Sequence, residues 1–122
     1  MAAVDKADRV RAIFAAYLAG NRGLVEAAFA DDFRFTSPYD DNIDKATYFE
    51  RCWQNSDWIE RQDLERIMVE GEAAFVTYRC VAREGKSFRN TECFAFAGDR
   101  IRRIDVYFGA TYDNGVFVRQ PG

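Results

Sequence analysis

The residues best placed for chemistry lie between Glu72 and Ala97, in EAAFVTYRCVAREGKSFRNTECFAFA. Glu92 and Asn90 alternate there with Phe88, Phe94 and Phe96, so a carboxylic acid and an amide share one side of a strand with three rings. A carboxyl group among rings is a candidate general acid or base, because apolar surroundings raise its pKa toward neutrality. A turn centred on Glu84-Gly85 sets Thr77 against Glu92 and Arg79 against Asn90, adding a hydroxyl and a guanidinium to the same face. Arg79 then has two readings: a planar anchor for a carbonyl or anionic ligand, or the ion-pair partner that keeps Glu92 charged. Asp40, two residues past Pro38, is either a second carboxylate base or a turn former. Tyr17, on the apolar stripe of a helix, brings a hydroxyl to a cavity rim. Phe35, Phe94, Phe108 and Trp53 are the expected apolar contacts for a small, mostly apolar ligand.

Other chemistries are excluded by composition. The chain has no histidine, which removes Ser-His-Asp and Cys-His arrangements and the commonest metal ligand. The acidic run Tyr39–Asp44 lacks the glycine and the closing glutamate of a calcium-binding loop, so no metal site is expected. No glycine-rich phosphate motif is present, and any reaction is expected to be cofactor-free. A net charge of −3 with scattered arginines offers no stripe for nucleic acid. Three unpaired cysteines, Cys52, Cys80 and Cys93, and the lack of a basic-then-apolar leader read as a cytoplasmic protein with reduced thiols. No apolar run reaches the length of a membrane span.

A chain of 122 residues makes one domain, with a core over residues 5–110 and a tail over 111–122. Helical spacing predicts helices from Asp5 to Ala19, Arg22 to Ala30 and Lys45 to Trp53, capped by Asp5, Asn21 and Asp44. Alternation predicts a short strand over Phe33–Thr36, then long strands Trp58–Glu70, Glu72–Ala82, the second arm of the hairpin, and Arg100–Ala110, with a short Val116–Val118 strand behind an Asp113-Asn114-Gly115 turn. Tyr39–Asp44 is expected to be a loop. The order gives an α+β architecture, helices laid on one face of a curved antiparallel sheet. Aromatic residues make up 16%, more bulk than a thin core uses without a cavity or an interface. On the register above, Ala74, Val76, Tyr78 and Cys80 with Thr91, Cys93, Ala95 and Tyr107 form an outer face too apolar for water, and a homodimer across it is expected.

The segments AGNRGLVEAAFADDFRF (Ala19–Phe35) and IRRIDVYFGA (Ile101–Ala110), in this order of elements, resemble the nuclear transport factor 2 superfamily, in particular its SnoaL-like and ketosteroid isomerase-like members. The resemblance implies a cone-shaped, cystatin-like fold with a pocket between helices and concave sheet, and dimers formed by the outer sheet face. Its isomerases use a carboxylate base, a tyrosine and a neutral carboxylic acid; these positions correspond here to Ser37, Ile13 and Glu92. Only the last keeps its group. The implied function is a cofactor-independent isomerase, cyclase or dehydratase acting through Glu92 and Asp40. The alternative is a non-catalytic binding domain in which Glu92 and Arg79 form a structural pair.

Overall fold

The computed structural model describes residues 5–119, with the backbone alone at residues 54–56. Helix α1 (Lys6–Ala19) starts where the Asp5 side chain accepts from the Asp8 N–H, and it stops at Gly20, whose φ of 74° closes the last turn. Helix α2 (Arg22–Ala28) is capped by Asn21, and α3 (Lys45–Arg51) by Asp44. A 3-10 helix over Trp53–Trp58 follows α3. The strands are β1 (Phe29–Ser37), β2 (Asp40–Asp44), β3 (Ile59–Glu70), β4 (Ala73–Ala82), β5 (Lys86–Ala97), β6 (Arg100–Asp113) and β7 (Val116–Val118).

The seven strands make one open sheet in the order β2-β1-β6-β5-β4-β3, with β7 folded onto the end of β6. All pairings are antiparallel except that of β1 with β6. Register shifts in β3, at Ile59/Arg61 and Leu64/Arg66, and between β5 and β6 at Phe88/Asn90, add unpaired residues that bend the strands. The result is a concave face, and the helices lie across it. Val10, Ile13, Phe14, Val25, Phe29, Phe33, Tyr48 and Phe49 meet Val76, Phe94, Ile101 and Ile104 there. Phe29 and Phe33 stack at 4.0 Å, and the Tyr48 ring stands edge-on to both. Lys45 ties α3 to this cluster, its ammonium donating to the carbonyls of Glu26 and Phe29 at the end of α2.

Two elements differ from expectation. The strand β1 begins at Phe29, because Phe29 pairs with Ile101 of β6 and loses its exposed surface there. The acidic segment Asp40–Asp44 is a strand and not a loop: Ile43 pairs with Phe35 and Asp44 with Arg34, while Asp41 and Asn42 stay in solvent, as befits a charged sheet edge. Among the described residues, no helix is long and apolar enough to cross a membrane.

The hairpin register is the consequential difference. The chain reverses through three residues, Arg83, Glu84 and Gly85, with Gly85 at φ 99° and its N–H bonded to the Ala82 carbonyl. A three-residue loop shifts the pairing by one relative to a two-residue one, so Glu92 lies opposite Val76 and Asn90 opposite Tyr78. Side chains alternate, and that single step exchanges the two faces of β4. Ala74, Val76, Tyr78 and Cys80 are buried on the concave side, while Phe75, Thr77 and Arg79 point outward.

Candidate functional site

Between the helices and the concave sheet is a cavity of about 520 Å³. Its walls are aromatic, from Phe14 and Tyr17 of α1 to Phe94 of β5 and Phe108 of β6. Glu92 sits on this wall, and its Oε2 accepts the Tyr78 hydroxyl at 2.5 Å. The Tyr78 oxygen in turn accepts from Asn90 Nδ2 at 3.2 Å. The chain Asn90–Tyr78–Glu92 follows from the register, since Tyr78 and Asn90 are cross-strand neighbours and Glu92 is two residues along on the same face. Burial pushes the Glu92 carboxyl up from 4.5 to about 7, against the Tyr78 hydrogen bond, which stabilises the charged form and pulls it down. Charge on Glu92 also raises Tyr78, Tyr17, Tyr48 and Cys80, though for all four burial is the larger cause.

A second polar group stands at the junction of β2 and α3. Asp40 is buried, with Oδ1 2.8 Å from Arg51 Nη2, whose side chain reaches in from solvent. Its Oδ2 accepts the Cys52 thiol at 3.7 Å. The Tyr17 hydroxyl donates to the Cys52 carbonyl at 3.1 Å, so its proton is engaged and its oxygen faces the cavity as an acceptor. Burial pushes Cys52 and Cys80 each up to about 12. Neither is a thiolate near neutrality, and nucleophilic cysteine chemistry has no group here to carry it.

Of the residues singled out in the sequence, Glu92, Asp40, Tyr17, Asn90, Phe35, Phe94 and Phe108 line the cavity. Three do not. Arg79 and Thr77 are on the outer face: Thr77 Oγ1 meets Thr91 Oγ1 at 2.9 Å, and Arg79 Nη2 donates to Ser87 Oγ in a separate outer hollow beside Arg89 and Tyr112. No Glu92–Arg79 ion pair exists, because the sheet lies between them. Trp53 packs behind the wall, edge-on to Tyr17 and tilted against Phe49. Sequence reasoning missed Tyr78, and Gln62 of β3 with it. Counting the Arg83–Gly85 turn as three residues would have found Tyr78, whereas Gln62 is set opposite Cys80 by the register shift at Leu64/Arg66, which has no signal in the sequence.

The sequence pattern of the SnoaL-like domain matches residues 10–104. The chain belongs to this family. No curated protein matches this chain in sequence. Its solved structural neighbours have the fold of the nuclear transport factor 2 superfamily. One, a nuclear transport factor 2-like protein of unknown function from Cytophaga hutchinsonii, superposes with a TM-score of 0.71 at 16% identity over 88% of this chain and 92% of that one. A protein from Sinorhizobium meliloti, provisionally assigned as a polyketide cyclase, gives 0.67 at 20% identity over 81% and 93%. A third, of ketosteroid isomerase-like fold from Catenulispora acidiphila and bound to trimethylamine, gives 0.66 at 14% identity over 83% and 85%. At these identities the likeness establishes the fold alone.

Proposed function

We propose that this SnoaL-like domain binds a small, mainly apolar molecule in the cavity and exchanges a proton with it through Glu92, without a cofactor. The observation that carries the reading is a carboxyl set into an aromatic wall and held in one orientation by the Tyr78 hydroxyl, where burial pushes it up to about 7. Such a group is present in both protonation states at neutral pH, the condition under which a general acid or base works best. Tyr78 and Asn90 are positioning residues. Asp40 is the second carboxylate, ion-paired with Arg51 and available to stabilise positive charge or order a water. Tyr17, Phe35, Phe94 and Phe108 shape the apolar part of the site.

The competing reading, a domain that binds without reacting, is favoured by Ser37 and Ile13, which line the cavity where related isomerases carry a base and a tyrosine. Exchange of the hydrogens beside the carbonyl of indanone with solvent deuterium, followed by proton NMR, separates the two. The wild type is expected to accelerate exchange with a rate that bends near pH 7, and Glu92→Gln to lose about a hundredfold or more. Binding of indanone with equal exchange rates in both proteins would leave only the binding domain.

Assembly belongs to the same proposal, on a different footing from the one the sequence implied. The outer face presents Met68, Phe75 and Tyr107, each exposed, around the Thr77–Thr91 contact. An isologous dimer would cover them. Light scattering at micromolar concentration is expected to return twice the chain mass, and a monomer there would remove this part of the account.

A further inference from the structure

The cavity's charge and hydrogen-bonding polarity say what kind of molecule it accepts. Among the described residues, two carboxyl side chains line it, Glu92 and Asp40, and no Lys or Arg does. Arg51 is spent on Asp40 from the solvent side. The polar groups close to Glu92 have their protons committed. Tyr17 gives its hydroxyl proton to the Cys52 carbonyl and Tyr78 gives its own to Glu92.

The amide of Asn90 is oriented by the same logic. With Glu92 ionised, Tyr78 uses its only proton on it and its oxygen can only accept, so Asn90 turns Nδ2 toward it and Oδ1 away. Asn90 is 6% exposed, and that Oδ1 accepts from no donor among the described residues. The buried Gln62 Oε1, two strands away on the same wall, is in the same position. A buried acceptor without a donor is destabilising, and a ligand that supplies the donor recovers that loss. Ser37, Tyr39, Tyr48 and the Trp58 indole can still donate, but all of them are neutral.

We infer that the ligand of this cavity is a small hydrophobic amine, bound as its ammonium ion with N–H groups directed at Glu92, Asn90 Oδ1 and Gln62 Oε1. The rings around them favour a cation over an anion, since an ammonium is attracted to aromatic faces. This rests on the cavity being a ligand site and names the substrate class for it. A substrate with both an ammonium and an acidic C–H or carbonyl would meet Glu92 as proton acceptor.

A matched two-ring series tests the idea on the intact protein: aminoindane, indanol, indanone, indane and indane carboxylate, titrated at about pH 8 by calorimetry and by the fluorescence of Trp58 on the cavity wall. An alkyl ammonium is still charged there. Aminoindane is expected to bind about tenfold or more tighter than indane, and the carboxylate not measurably. Glu92→Gln and, separately, Gln62→Leu should each weaken aminoindane while leaving indane unchanged. If indanol matches aminoindane, the site takes neutral donors and the ammonium assignment is wrong; if indanone or the carboxylate binds as well as the amine, the donor assignment is wrong too. Either result leaves the deuterium-exchange reading standing, and loss of exchange would leave amine binding standing, so the two proposals fail separately.

Discussion

Glu92→Gln is expected to stabilise the protein above neutral pH and to leave it nearly unchanged in mild acid. In the unfolded chain the carboxyl titrates at its ordinary 4.5, and in the fold at about 7. Between those values the native state holds one proton more than the unfolded state, so stability falls as pH rises. The slope is about 1.4 kcal/mol per pH unit, and the full loss by pH 7 is roughly 3 kcal/mol. Below the unfolded value both states are protonated and nothing is lost. Glutamine has the shape of the neutral acid and keeps an oxygen to accept from Tyr78, so the variant removes the charge while retaining the hydrogen bond. Urea unfolding of both proteins across this range should therefore give curves that meet in acid and separate above neutrality, the variant on top. Parallel curves would mean that Glu92 costs nothing when ionised.

Gly109→Ala is expected to be the most damaging conservative change outside the hydrophobic core. A Cβ at Gly109 would lie 2.2 Å from the Arg89 carbonyl oxygen, a backbone atom fixed by the bulge between Phe88 and Asn90. The clash cannot be relieved by turning a side chain, so β5 or β6 must shift, at a cost of about 2–4 kcal/mol and a Tm lower by roughly 10 °C. Asn90 is the next residue after the bulge and Gly109 itself lines the cavity, so the shift also disturbs the site. Gly23→Ala supplies the opposite control. Gly23 is in α2 with nothing within 4 Å of the added carbon, and alanine should stabilise there by about 0.5–1 kcal/mol. Thermal unfolding that finds Gly109→Ala unchanged would contradict the packing at the bulge.

Most of the fold was legible because its signals are local. Caps at Asp5, Asn21 and Asp44 and the stop at Gly20 set the helices, and alternation in VYF and RNTECFAFA set the long strands. The parallel β1–β6 pairing left no local trace, because Phe29 and Ile101 meet across the chain. At the site the limit was one residue of turn length. Glu92, Asn90, Phe94 and Phe108 were assigned to the concave face from β5 and β6, whose parity does not depend on the turn. Arg79, Thr77 and Tyr78 depend on it entirely, and the three-residue loop placed Tyr78, not Arg79, beside Glu92. Asp40 was visible as an acid in an acidic run, but its cation, Arg51, comes from the last turn of α3 and only the folded chain brings them together.

The central claim is that Glu92 is an acid poised near neutrality by burial and steadied by Tyr78, with Arg79 uninvolved. Its most direct test is a carbon NMR titration of the glutamate carboxyls, with the Glu92 signal assigned by its loss in Glu92→Gln. The account predicts a midpoint at about 7 in the wild type, unmoved in Arg79→Met and higher in Tyr78→Phe, which removes the one hydrogen bond that favours the charged form. A midpoint at the ordinary 4.5, or one that moves when Arg79 alone is replaced, would contradict it.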